Sequence, residues 1–293
     1  MVGWNGWSKT WTFYEGEWHD GNVAIMGPRS HGSWLASTVF DGARAFEGVT
    51  PDIERHMQRV NASAEAMGLQ PVVGHGQWME LVEAGLKKFD PKAELYIKPM
   101  YWAEKTGYAT VMPDPDSTSW CFCLYELPMP GADAGQSITL SPFRRPTQET
   151  MPVDAKAACL YPNNARAVRD AKARGFDNAL LCDMLGNVAE LANSNVFMVK
   201  DGVVLTPAAN GTFLNGITRQ RVIALLRADG IEVQETRLTY RDFQQADEIF
   251  SAGNYGKVSP IAKIDDRALP LGKLYRRTRE LYWDFAHSKT NVR

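Results

Sequence analysis

Cysteine is scarce in this chain. Cys121, Cys123, Cys159 and Cys182 are all it has, too few and too scattered for a disulfide framework or a four-ligand zinc site. Its histidines, His19, His31, His56, His75 and His287, show no metal-ligand spacing, so no catalytic metal is expected. An excess of one charge is missing too: 32 basic residues face 34 acidic ones, leaving a net charge of −2. Like charges run no further than short pairs such as Arg144-Arg145, which argues against a nucleic-acid partner. No apolar run approaches the ~20 residues that a membrane-spanning helix needs, and the N-terminal residues have no basic start followed by an apolar stretch. A soluble, cytoplasmic protein with no membrane partner is expected.

What is present is enough apolar material for a large core. With 293 residues and 44% hydrophobic content, the chain can form two domains of ordinary size. Prolines and glycines crowd the stretch after Leu127, where a regular element cannot continue. A linker is therefore expected over 128–136, between an N-terminal domain of residues 1–127 and a C-terminal domain of residues 137–293. In the first half, 22–26 and 38–40 look extended. Ile53, Met57, Val60, Ala64 and Met67 recur at helical spacing, and a second helix is expected from Gln77 to Phe89, before Pro91. Strands follow over 95–102 and 120–126, the second placing Cys121 and Cys123 on one face as core residues. Beyond the linker the pattern predicts a strand over 137–142, a helix over 163–174 and a strand over 178–183. A hairpin then joins 196–200 to 203–206 through Asp201-Gly202, a strong two-residue turn signal.

Two segments carry candidate chemistry. Lys156 lies between small and apolar residues, with Tyr161 five positions on, and low-dielectric surroundings are what make a lysine amine nucleophilic. It is a candidate Schiff-base nucleophile, against the ordinary reading of a solvated lysine at a strand edge. Leu214-Asn215-Gly216-Ile217-Thr218 precedes a helical pattern in which Val222, Leu225 and Leu226 share a face. The N-terminus of such a helix offers free N–H groups to an anion, although an Asn-Gly turn by itself is usually only punctuation.

Four segments in order, Ala155 to Tyr161, Gly186 to Phe197, Leu214 to Arg219 and Ala246 to Phe250, resemble the fold-type IV, pyridoxal-phosphate-dependent aminotransferases. Val39 to Arg44 and His56 to Arg59 match as well, so the likeness spans almost the whole chain. This class includes the branched-chain and D-amino-acid aminotransferases. The resemblance implies an α+β fold of two mixed α/β domains, with pyridoxal phosphate in the cleft between them. It also implies a homodimer in which partner loops complete the active site. By the same resemblance, Lys156 bonds covalently to the cofactor and moves the proton between the substrate's Cα and the cofactor. Glu190 pairs with the pyridine nitrogen, and Tyr161 hydrogen-bonds the ring oxygen. Arg59 and the backbone amides of Ile217 and Thr218 form the phosphate cup, and Leu214 packs on one ring face.

The substrate pocket departs from the branched-chain pattern. Leu35 stands where that group has a tyrosine, Lys98 replaces the arginine of a Tyr-x-Arg-Pro strand, and Asn254-Tyr255 replaces a small-residue turn whose threonine serves the phosphate. An amide can still donate to phosphate, but leucine cannot donate at all and lysine lacks the planar fork that fits a carboxylate. With Trp34, Leu35, Phe40 and Tyr255 nearby, the pocket resembles that of the (R)-selective amine transaminases of the same fold. The expected donors are then (R)-amines of the 1-phenylethylamine kind, with a keto acid such as pyruvate or a ketone as acceptor. The alternative is a branched-chain amino acid held by Lys98 or Arg44. Two further rivals are a lyase like aminodeoxychorismate lyase, on the same lysine and cofactor, and a non-enzymatic cofactor-binding protein.

Overall fold

The computed structural model describes residues 6–288 and 291. The chain divides into two compact units. One takes in the chain up to Met129, Ala155–Cys159 and the residues from His287; the other comprises Pro130–Asp154 and Leu160–Ala286. The first crossing thus falls inside the stretch expected as a linker. The Lys156 segment, however, groups with the N-terminal residues instead of remaining with the second half. The reason is a β-bridge between Val39 and Ala157, flanked by the bonds Phe40 N to Lys156 O (3.1 Å) and Ala158 N to Thr38 O (2.9 Å). Ala155 and Ala157 are buried in the core of this unit.

The first unit is built on an antiparallel sheet of β1 (Thr10–Tyr14), β2 (Glu17–Asp20), β3 (Val39–Phe40), β4 (Ala43–Ala45), β5 (Leu95–Ala103) and β6 (Thr118–Glu126), in the order β2-β1-β6-β5-β3, with β4 also on β5. The β1–β2 hairpin turns at Glu15 and Gly16, both at positive φ (51° and 84°), which suits the twist of a two-residue hairpin. This hairpin lies upstream of residues 22–26, which were expected to be extended and fall outside the strands. Helix α1 (His31–Trp34) is short. Helix α2 (Ile53–Ala66) buries Met57, Val60 and Ala64, and α3 (His75–Leu86) buries Trp78, Leu81 and Val82. Both helices cover one sheet face through Ile97, Tyr101, Phe122 and Leu124.

Pro99 sits inside β5, where its missing N–H would ordinarily weaken a ladder. It lies opposite the gap between β3 and β4: Phe40 pairs with Met100, Ala43 pairs with Ile97, and the chain between them breaks register. In that gap Asp41 N donates to Pro99 O at 3.0 Å. The interruption leaves Asp41 fully buried.

The second unit holds a mixed sheet in the order β12-β11-β10-β13-β14-β7-β8-β9, with β15 paired to β14. Its elements in chain order are β7 (Gln136–Arg144), α4 (Tyr161–Ala173), β8 (Asn178–Cys182), β9 (Val188–Leu191), β10 (Asn195–Lys200), β11 (Val203–Pro207), α5 (Ile217–Ala228), β12 (Val233–Thr236), α6 (Tyr240–Gln244), β13 (Glu248–Gly253), β14 (Lys257–Ile264), β15 (Arg267–Ala268) and α7 (Lys273–Ala286). The β10–β11 hairpin forms as the sequence indicates, with Asp201 and Gly202 at φ 49° and 81°. The helix expected from Asn163 begins at Tyr161, because Pro162 is accepted in a first turn where its missing N–H has no intrahelical role. Strands β8, β9 and β10 are almost wholly buried. Among the described residues no helix is long and apolar enough to cross a membrane, and no group of three or more His, Cys, Asp or Glu is placed to hold a metal.

Candidate active site

In the first unit, Lys156 is half-buried between fully buried alanines, and its Nζ lies 5.0 Å from the centre of the Phe40 ring. Its backbone N donates to Ser63 Oγ at 3.1 Å. Ser63 is one turn beyond Arg59 on α2, and residues four apart share a helix face. Arg59 grips Asp41 through both carboxylate oxygens, Nε to Oδ2 at 2.6 Å and Nη2 to Oδ1 at 2.8 Å. His56 Nδ1 adds 2.7 Å to Oδ1, and Gly42 N adds 2.6 Å. Burial pushes the Asp41 carboxyl up, but the charges and hydrogen bonds of Arg59 and His56 outweigh it and hold it well below the usual carboxylate range. Arg59 is therefore fixed by a buried anion rather than loose on a helix surface. No role for Asp41, His56 or Ser63 was drawn from the sequence. The legible signal was the pattern His56, Arg59, Ser63 on one helix face.

The sheet face opposite the core of this unit carries two of the predicted pocket residues, Phe40 and Lys98. Tyr96, Lys98 and Met100 alternate along β5, and the register sets Arg44 beside Tyr96 and Phe40 beside Met100. On β6, Tyr125 lies across from Tyr96. The two phenol rings stack at 5.2 Å, and Lys98 Nζ sits 5.7 Å from the Tyr125 ring centre. Burial, aided by Cys123, raises the Tyr125 pKa against the opposing pull of Arg44, so near neutral pH the phenol keeps its proton and can donate. Cys121 and Cys123, expected as core residues, are buried but pair with Met100 and Lys98 and so lie on this same face, not in the core under the helices. Leu35 is half-buried at the C-terminal end of α1, and the neighbouring Trp34 is largely exposed.

In the second unit, Glu190 on β9 is buried with its carboxylate held on both sides. Arg145 Nε lies 3.3 Å from Oε1, and Asn195 Nδ2 lies 3.3 Å from Oε2. Arg145 is itself buried and fixed by Thr212 O (3.0 Å) and Asn164 Oδ1 (2.8 Å). Asn195 also reaches the loop before α5: its Nδ2 donates to Leu214 O at 3.0 Å, and its Oδ1 accepts from Gly216 N at 3.2 Å. A Cβ on Gly216 would lie 2.3 Å from that Oδ1, so only glycine allows the approach. Arg145 and Asn195 were assigned no role in the sequence. Together with Gly216, they join Glu190, Leu214 and the start of α5 into one construction.

Helix α5 begins with Ile217 and Thr218, both buried, behind an extended Gly216, and among the described residues no side-chain cap is made at its N-terminus. Asn254 lies in the turn between β13 and β14, two residues past Ala252, which pairs with Asn195. Its Nδ2 is buried and has no hydrogen-bond partner among the described residues. Tyr161, the first residue of α4, is about a third exposed at 37%. Tyr255 is 49% exposed.

The family model for amino-transferase class IV matches residues 38–264. The chain belongs to the class IV aminotransferases. It is 31% identical over 236 residues to a probable branched-chain-amino-acid aminotransferase of Rickettsia felis, covering 80% of each chain. It is 30% identical over 278 residues to a putative branched-chain-amino-acid aminotransferase of Methanocaldococcus jannaschii, covering 93% of this chain and 95% of the relative. A solved aminotransferase from Brucella abortus bound to pyridoxal phosphate shares 56% identity at a TM-score of 0.94, over 96% of this chain and all of that one. A branched-chain aminotransferase of Thermoproteus uzoniensis, solved with norvaline, shares 27% at a TM-score of 0.86, over 98% of this chain.

Class IV aminotransferases use pyridoxal phosphate, and the residues of this member fit it. The first N–H groups of α5 and the Nδ2 of Asn254, which has no hydrogen-bond partner among the described residues, are donors suited to a phosphate. Glu190 is a buried carboxylate suited to a protonated ring nitrogen, and Lys156 is an amine on an apolar background.

Proposed function

We propose that this class IV aminotransferase transfers the amino group of branched-chain or similar apolar L-amino acids to a keto acid, using Lys156 as its catalytic amine. When bound, pyridoxal phosphate supplies an electron-accepting ring that stabilises the carbanion left after the substrate's Cα loses its proton. Lys156 Nζ would hold the cofactor and, as a free amine, would carry the proton away from the substrate's Cα. Glu190, oriented by Arg145 and Asn195, holds the proton at the ring nitrogen. By the family resemblance, the N–H groups of Ile217 and Thr218, Asn254 and, from the first unit, Arg59 would hold the phosphate, Tyr161 would donate to the ring oxygen, and Leu214 would pack on the ring.

The observation that carries the substrate assignment is the face of Tyr96, Lys98 and Tyr125 in the first unit. There a cation sits beside phenols, with Phe40 and Met100 on the same face. A cation with hydroxyl donors suits a carboxylate, and apolar neighbours suit an aliphatic side chain. This reverses the order expected from Leu35 and Lys98 as isolated replacements, because the phenols beside Lys98 restore the donors that Leu35 removes. The names of the Rickettsia and Methanocaldococcus relatives support the same reading. A second reading, (R)-amine donors, rests on half-buried Leu35 and half-exposed Tyr255, neither of which carries a charge for a carboxylate.

Half-reaction rates with L-leucine, D-alanine, and (R)- and (S)-1-phenylethylamine separate the two. L-leucine should be fastest, and fast (R)-amine turnover with silent L-leucine would establish the second reading instead. Lys98→Met should raise KM for L-leucine by about ten- to a hundred-and-sixty-fold, the equivalent of one charged hydrogen bond of about 1.5–3 kcal/mol. The same change should leave amine turnover nearly unaltered. The proposal includes a homodimer, supported by the family resemblance and by Tyr108, Val111 and Met112, which are 84%, 69% and 57% exposed within one loop. Sedimentation analysis should give twice the chain mass, and a stable monomer would reject this part.

A further inference from the structure

The turn that carries Asn254 leads directly into a buried cation. Lys257, the first residue of β14, is 1% exposed and holds φ at 58°. Burying an ammonium and keeping a side-chain-bearing residue in the left-handed region both cost free energy. Here both costs fall on one residue, three positions from the Asn254 amide. Lys257 Nζ donates to Asn254 Oδ1 at 2.8 Å. An ammonium can only donate, so it selects the acceptor end of the amide and leaves Nδ2 as the outward donor. That Nδ2 is the buried atom with no partner among the described residues. The turn has little room to relax, since a Cβ on Gly256 would lie 2.3 Å from Ser259 Oγ and 2.8 Å from Pro130 Cγ.

We infer that Lys257 is a positioning residue for phosphate recognition: it fixes the Asn254 amide so that Nδ2 faces the 5′-phosphate of the cofactor, and it adds positive charge to that site. The inference rests on the reading of Asn254 as part of the phosphate cup. A threonine hydroxyl can rotate to suit a phosphate unaided. An amide has a wrong orientation available, and the lysine removes it.

The test compares pyridoxal 5′-phosphate with pyridoxal, which lacks the phosphate, in titrations of the apo-protein followed by the absorbance of the lysine-bound cofactor. Variants are Lys257→Met, Lys257→Gly, Asn254→Ala and the double variant Lys257→Met/Asn254→Ala. Glycine takes a left-handed φ without strain, so Lys257→Gly guards against a folding failure. The phosphate-dependent gain in affinity should fall by about tenfold or more in either Lys257 variant and in Asn254→Ala, the effect of one charge-assisted bond. The double variant should lose much less than the product of the single losses, because the lysine acts through the amide. Pyridoxal affinity should stay within about twofold of wild type. An unchanged preference for the phosphate in the Lys257 variants, an equal loss for both ligands, or fully additive losses would overturn the inference. If Asn254→Ala keeps the full preference, the phosphate-cup reading fails as well, whereas a cofactor found on a lysine other than Lys156 would sink the proposed function separately.

Discussion

Replacing Asp41 by asparagine tests how the Arg59 side chain is held. The wild-type carboxylate accepts from Arg59 Nε and Nη2, His56 Nδ1 and Gly42 N, all within 2.6–2.8 Å, in a fully buried position. An amide keeps one oxygen, loses the charge and points an N–H₂ group at a guanidinium, so the two-bond grip on Arg59 cannot survive. Removing one partner of a buried pair typically costs about 3–5 kcal/mol. Arg59 retains 17% side-chain exposure and can recover some hydration, which brings the expected loss to about 2–3 kcal/mol. Urea denaturation of the apo-protein should show this loss. Cofactor affinity should drop by about tenfold or more as Arg59 loses its fixed direction. The pH dependence follows from the depressed pKa. The carboxylate's contribution is complete above the unfolded pKa of about 4 and is lost as pH falls through the lower folded value, so the wild-type advantage over Asp41→Asn should shrink only below about pH 4. Wild-type stability and cofactor affinity in Asp41→Asn would refute the reasoning.

Glu190→Gln should lower the half-reaction rate by about a hundredfold while changing cofactor affinity far less, because it removes the charge that stabilises a protonated ring nitrogen but keeps the side chain's size. Stopped-flow rates check this, and an unchanged rate would reject the role of Glu190. Gly216→Ala should destabilise the protein by about 1–3 kcal/mol and weaken cofactor binding, since its Cβ would lie 2.3 Å from Asn195 Oδ1 and push that side chain off Leu214 and Glu190. Thermal denaturation with and without cofactor reads both effects.

Local rules carried much of the fold. The spacing of Met57, Val60 and Ala64 marked α2, and Asp201-Gly202 marked its hairpin, because each depends on residues close in the chain. The β1–β2 hairpin had an equally local cue in Glu15-Gly16. The placement of Lys156 was not legible, because the bridge from Ala157 to Val39 pairs residues more than a hundred positions apart. The same holds for the supports of the candidate site. Arg145 reads as half of a surface charge pair, yet it is buried beside Glu190. Asp41 was given no role in the sequence, and its burial follows from the gap opposite Pro99. Side chains such as Lys156 and Glu190 carry recognisable patterns. The groups that orient them are chosen by tertiary contact and leave little trace in sequence order.

The most direct test of the account is to reduce the cofactor-loaded protein with borohydride and map the labelled peptide. A pyridoxyl group on Lys156, with Lys156→Ala unlabelled and without transamination even where it still retains cofactor, is the predicted result. A label on any other lysine, or full transamination by Lys156→Ala, would contradict the account.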